Sequence, residues 1–140
     1  MTQETTTAVD IFADFALNEV KENDGTWVNY KGDVEFLIAR TGNRKYRKSF
    51  THQFKKNQRL LDANTDASDA KAEEILIDVM ASTILLGWKG KVAIQGVVVE
   101  YSVSNAKKLL SIPLFREYIS KQADDQASYK AVQDEEDAKN

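Results

Sequence analysis

From Ala70 to Gly87 the chain carries its widest apolar face, with Ala72, Ile75, Leu76, Val79, Met80, Thr83, Ile84 and Leu86 recurring at helical spacing. A helix with so wide a stripe must be covered on several sides, so this segment is expected to be the central helix on which the rest packs. Gly87 suits the left-handed position that closes a helix, and the connector from Asn64 to Asp69 offers Asp66 and Ser68 among its N-caps.

The segments around it alternate in kind. Thr26 to Tyr30 and Asp33 to Arg40, joined around Lys31-Gly32, read as a β-hairpin over about 26–40. Lys91 to Ile94 and Val97 to Tyr101 flank Gln95-Gly96 and read as a second, tighter hairpin over about 91–101. Tyr46, Phe50, Phe54, Asn57 and Leu61 recur near every fourth residue, which predicts one helix from Arg44 to Leu61. Ser102 is the expected N-cap of a short helix ending near Leu110, and Pro113 suits the first turn of a last helix carrying Leu114, Phe115, Tyr118, Ile119 and Ala123. The expected fold is α+β, a mainly helical single domain with two short hairpins packed on a helical core. It occupies residues 10–132, after a disordered segment over 1–9 and before an acidic tail over 133–140. Residues 10–22 suit a short amphipathic helix and an extended lead-in equally well.

A chain of 140 residues can build such a core without disulfides or metal, because a domain of roughly 150 residues buries about 68–70% of the surface of its unfolded chain. With no cysteine and one histidine, it has no thiolate nucleophile, no cysteine-ligated metal and no site needing two histidines. The start lacks the basic and apolar regions of a signal peptide, and no apolar run reaches the ~20 residues of a membrane span, so a cytosolic protein with no membrane partner is expected.

The net charge of −3 conceals segregation along the chain. Eight basic residues (Arg40, Arg44, Lys45, Arg47, Lys48, Lys55, Lys56, Arg59) and no acidic one lie between Phe36 and Leu61. Six carboxylates against Lys71 follow from Asp62 to Asp78, and the end repeats that sign with Asp124, Asp125, Asp134, Glu135, Glu136 and Asp137. Two acidic segments could thus face one basic segment, within one molecule or across a subunit interface.

No catalytic constellation emerges. His52 lies within the basic stretch, where positive potential disfavours a proton-accepting role. The neighbours Glu73-Glu74 and Asp124-Asp125 diverge by about 100° on a helix and do not converge on a substrate. No phosphate loop, dinucleotide fingerprint or calcium loop occurs, so no catalytic residue, cofactor or metal is expected. Tyr46, Phe50 and Phe54 stand at core spacing rather than where exposed bases would stack, which disfavours nucleic acid as the partner of the basic helix. Trp27 and Trp88 both adjoin turns and read as tryptophans at the edge of a core or as anchors for a partner chain.

One ordered set of residues carries a resemblance. It comprises Gly25-Thr26-Trp27-Val28, Phe36 to Arg40 with Gly42-Asn43 and Tyr46, Ala72-Glu73, and Leu86-Gly87-Trp88-Lys89-Gly90. Val99-Glu100-Tyr101-Ser102, Ala106, Leu109-Leu110, Pro113, Phe115-Arg116, Ile119, Tyr129 and Lys139-Asn140 follow. Over about residues 25–140 this set resembles the tail assembly chaperones of long-tailed bacteriophages and prophages. The resemblance implies a non-enzymatic protein of the host bacterial cytoplasm, absent from the mature virion, that accompanies the tape measure protein and helps recruit tail tube protein around it. It also implies, in many members, a longer minor product made by a ribosomal frameshift. It supplies no catalytic residues. The charge pattern then suggests Arg44, Lys45, Lys48, Lys55 and Lys56 as a partner surface, with Trp88 and Tyr101 as core or anchor positions. A homo-oligomer is compatible with two hairpin edges. The alternatives are a structural head or tail connector and a small nucleic-acid-binding accessory using the basic 40–59 helix.

Overall fold

A computed structural model describes residues 8–11 and 24–139, with residues 127–139 described through their backbone alone. The expected disordered start and the segment over 10–22 lie, apart from residues 8–11, outside the described residues. Among these, five helices and five strands form an α+β fold, in keeping with the pattern of the sequence.

Strands β1 (Thr26–Lys31) and β2 (Val34–Ile38) form the first hairpin, with Trp27 opposite Leu37 and Val28 opposite Phe36. Helix α1 (Arg44–Lys56) follows and stops at Asn57, whose side-chain amide donates to the Gln53 carbonyl at 2.8 Å. A separate short helix α2 (Gln58–Asp62) comes next, so the single helix expected over Arg44 to Leu61 is broken in two. Periodicity did not register the break, because an asparagine that bonds back to the preceding turn leaves the apolar spacing intact.

The central helix α3 (Asp66–Thr83) buries Ile75, Val79, Met80 and Ala81. Its N-cap is Thr65, within the connector that offered several candidates, and Ser68 completes a reciprocal capping box. The Ser68 N–H donates to Thr65 Oγ1 at 3.3 Å, and the Thr65 N–H donates to Ser68 Oγ at 3.0 Å.

At its other end α3 stops at Thr83, and Leu85–Lys89 form strand β3 rather than a last helical turn. This adds an antiparallel neighbour to the first hairpin, giving the sheet order β1-β2-β3 with Phe36 opposite Trp88 and Leu37 opposite Gly87. Gly87 therefore sits within a strand and is not the left-handed cap. The short apolar run Ile84 to Trp88 is ambiguous between strand and buried helix, and pairing with β2 decides it. Of the two glycines flanking Trp88-Lys89 the left-handed one is Gly90, at φ +83°, where a Cβ would lie 2.7 Å from the Asp33 carbonyl oxygen.

Strands β4 (Val92–Ile94) and β5 (Val97–Val99) form the second hairpin where expected. Gln95 (φ 52°) and Gly96 (φ 83°) both take positive φ, the backbone of a two-residue hairpin turn whose twist matches the strands. Helix α4 (Val103–Leu110) starts at Ser102, whose Oγ accepts from the Asn105 N–H at 3.0 Å. Helix α5 (Pro113–Lys139) begins at the only proline and continues through the acidic residues 133–139.

The core gathers Phe36 and Ile38 from β2, Met80, Ala81 and Ile84 from the end of α3, Leu85 and Trp88 from β3, Leu110 from α4, and Ile119 and Ala123 from α5. Helix α1 packs on α3, whereas α5 packs on α4 and β2. Among the described residues no helix is long and apolar enough to cross a membrane.

Candidate interaction surface

Helix α1 is an amphipathic element with no fully buried residue. Its aromatic stripe is half-buried and self-stacked, with the rings of Tyr46 and Phe50 centred 5.6 Å apart and those of Phe50 and Phe54 4.5 Å apart. These rings occupy each other's faces, which leaves them poorly placed as platforms for nucleic-acid bases.

The helix begins at Asn43, which is fully buried. Asn43 Oδ1 accepts from the Tyr46 N–H at 2.9 Å, while Nδ2 donates to the carbonyls of Arg40 (2.8 Å) and Thr83 (3.1 Å). One side chain thus joins the end of the first hairpin, the start of α1 and the end of α3. Asparagine before a periodic segment is an N-cap signal, but its bond to Thr83, 40 residues along the chain, has no local signature.

Opposite the aromatic stripe, Arg44, Arg47, Lys48, Thr51, His52 and Lys55 line an open depression of about 540 Å³. The structure thereby brings together three of the expected contact residues, Arg44, Lys48 and Lys55. It adds Arg47 and His52, which the sequence places in the basic stretch without marking them as contacts. Lys45 and Lys56 are exposed but lie about 100–120° around the helix from Arg44, on the flank.

Helix α1 has no acidic residue in its first turn, where Arg44 and Lys45 oppose the helix dipole at a cost of roughly 0.3–1 kcal/mol each. Two carboxylates of the first acidic segment that could have faced this helix are engaged elsewhere. Asp78 pairs with Lys107 of α4 at 3.0 Å, and Glu73 pairs with Arg116 of α5 at 3.2 Å. Among the described residues, no ion pair is made by Arg47, Lys48 or Lys55. Their charge is left to solvent and to whatever binds there.

The other two expected contact residues lie apart from this face. Trp88 is 9% exposed and belongs to the core. Its ring meets those of Phe36 and Tyr101 edge-on, and its indole N–H donates to the Val99 carbonyl at 3.4 Å. The Tyr101 hydroxyl donates to the Leu85 carbonyl at 2.9 Å. Burial raises the Tyr101 pKa above its ordinary value, so the hydroxyl keeps the proton it donates. Both residues serve as core positions. Trp27 is the exposed tryptophan of the pair, lying over Gly87 with Lys89 Nζ 4.1 Å from its ring centre.

A recess of about 160 Å³ lies between α1, α3 and α5, lined by Tyr46, Leu76, Met80, Ile84, Ser120, Asp124 and Thr41. It is smaller than the roughly 300 Å³ at which ligand pockets begin. Burial, and secondarily the Asp124 carboxylate, raise the Tyr46 pKa, leaving a protonated phenol at its rim. Among the described residues no three His, Asp or Glu side chains are grouped to hold a metal ion.

A family described as YdaY prophage protein matches this chain over residues 41–140, which spans α1 to α5 and strands β3 to β5. No curated protein and no solved structure matches it.

Proposed function

Because the chain belongs to the YdaY prophage protein family, we propose that it is a non-enzymatic assembly factor of a prophage, a tail assembly chaperone that binds the tape measure protein in the host cytoplasm. The observation that carries this reading is the outward face of α1, where Arg47, Lys48 and Lys55 stand exposed and, among the described residues, make no ion pair, in a chain of net charge −3. The resemblance over residues 25–140 supplies the identity of the partner. The physics of the surface supplies the manner of binding: a shallow cationic face engages an acidic stretch of a long helical partner, speeds encounter and releases readily. Release matters for a protein that leaves before the particle is complete, and contacts between exposed charges weaken as salt rises.

The triple reversal Arg47→Glu, Lys48→Glu, Lys55→Glu is expected to abolish capture of the co-expressed tape measure protein by the tagged chain, while the circular dichroism spectrum stays that of the parent. Capture at the parental level would remove α1 from consideration. Mass spectrometry of purified particles should find the chain absent. Its stoichiometric presence would favour a structural connector instead.

A further inference from the structure

The second hairpin is a sheet of two three-residue strands, β4 (Val92–Ile94) and β5 (Val97–Val99), and among the described residues no further strand pairs with it. A lone two-stranded hairpin is marginal in water, and added strands are what stabilise it. Strand β5 leaves Val97 63% and Val98 60% exposed. It contains no charge and no proline, and its register with β4 runs unbroken from Val92–Val99 to Ile94–Val97. Charges, prolines and bulges are the devices by which sheet edges refuse a further strand. The outer strand of the other sheet has two of them, since β1 carries a register shift between Asn29 and Lys31 and ends on that lysine.

The turn fixes which backbone groups of β5 are open. Gln95 and Gly96 form a two-residue turn with positive φ at both, so Ile94 and Val97 are the hydrogen-bonded pair that closes it. Alternation along the ladder then makes Ala93–Val98 a pair without bonds between its members and Val92–Val99 the next bonded pair. The N–H and C=O of Val98 therefore point away from β4. At one end Gly96 leaves the approach clear, with nothing within 4 Å of where a Cβ would stand. At the other the Glu100 carbonyl is taken by Asn105 Nδ2 at 2.9 Å, and the open edge stops there.

We infer that β5 pairs antiparallel with β5 of a second copy, about a two-fold axis at Val98. The two Val98 residues exchange their outward N–H and C=O groups, and Val97 stands opposite Val99 of the second copy, giving one sheet in the order β4-β5-β5-β4. A second copy fits because the edge is its own complement: an apolar strand turned end for end presents valine to valine on both faces. Charge permits the same register. Glu100 falls opposite Gly96 of the second copy, so the two carboxylates lie at opposite ends of the contact, roughly 14 Å apart along the strands. The contact is short and belongs with weak, reversible interfaces. It stands independently of the tape measure reading.

Because the chain has no cysteine, single introduced ones report the register. The axis brings residue 98 of both copies to a Cα separation of about 5.5 Å, which a disulfide spans, whereas the two residues 97 are diagonal neighbours roughly 7–8 Å apart, which it does not. On oxidation of the concentrated chain, Val98→Cys is expected to form the linked dimer at least tenfold faster than Val97→Cys. Sedimentation velocity of the parent should show the mass moving from one chain towards two between about 10 μM and about 1 mM. Val98→Pro deletes the outward N–H while sparing every bond to β4, and Val98→Lys sets two like charges face to face across the axis. Each should hold the chain monomeric over that range at the parental thermal midpoint. A parent that stays monomeric at about 1 mM, equal cross-linking at 97 and 98, or a dimer that survives both substitutions would overturn the inference. Capture of the tape measure protein rests on α1, which Val98→Lys leaves intact. Loss of capture in the α1 triple reversal with the dimer retained would separate the two contacts, and a monomeric parent that still captures the partner would leave the chaperone reading standing alone.

Discussion

Replacing Trp88 by alanine is expected to cost about 3–5 kcal/mol, lowering the thermal midpoint by on the order of 10 °C or more. The indole is fixed on three sides. It stands opposite Phe36 across the β2–β3 pair, its ring meets Tyr101 at 5.1 Å, and its N–H reaches the Val99 carbonyl of the second hairpin. Removing it opens a cavity between the two sheets and also loosens the Val99 carbonyl. The loss is at least about a fifth of the stability of a domain of ordinary ~5–15 kcal/mol. Thermal unfolding followed by circular dichroism reads it directly. A midpoint within a degree or two of the parent would mean that Trp88 is a surface anchor after all.

The second large effect falls on Asn43. Asn43→Ala removes the cap of α1, worth roughly 0.5–2 kcal/mol, and leaves the Thr83 carbonyl without its donor, a further ~1–3 kcal/mol for a buried polar group. The two losses share one side chain, so about 2–4 kcal/mol is expected in denaturant titration. Asn43→Ser should recover only the cap, because a serine hydroxyl at this position replaces the acceptor and is too short to serve both carbonyls. Parental stability of the serine variant would contradict the role assigned to the bond with Thr83, and equal stability of the alanine and serine variants would contradict the role of the cap. Asn43 positions the cationic helix, so its loss should also weaken partner capture, whereas Trp88 acts on the whole fold.

How much of this was legible beforehand depends on whether a feature is local. The hairpin at Gln95-Gly96, the cap at Ser102 and the start at Pro113 all follow from short-range chemistry, and each stands where the residues place it. Strand β3 was not legible, because Leu85 to Trp88 reads as the end of an apolar helix until β2 arrives to pair with it. The break at Asn57 was hidden by a periodicity that runs through it. On the surface, the basic run was visible as composition. Its division into a stripe of stacked rings and a face gathering Arg47, Lys48 and Lys55 needed the helix to be placed against α3. The pairing of Asp78 with Lys107 and of Glu73 with Arg116 is a long-range fact with no trace in the sequence. Trp88 and Tyr101 illustrate the reverse case. Residue types favoured in interfaces are here occupied by the core.

Lysine-directed cross-linking of the complex with the co-expressed tape measure protein, mapped by mass spectrometry, tests the central claim most directly. The account predicts links from Lys48 and Lys55, with Lys45 and Lys56 on the flanks, to one acidic stretch of the partner, and their disappearance at high salt. Links confined to Lys89, Lys91, Lys107, Lys108 or Lys121, with α1 silent in a stable complex, would contradict it.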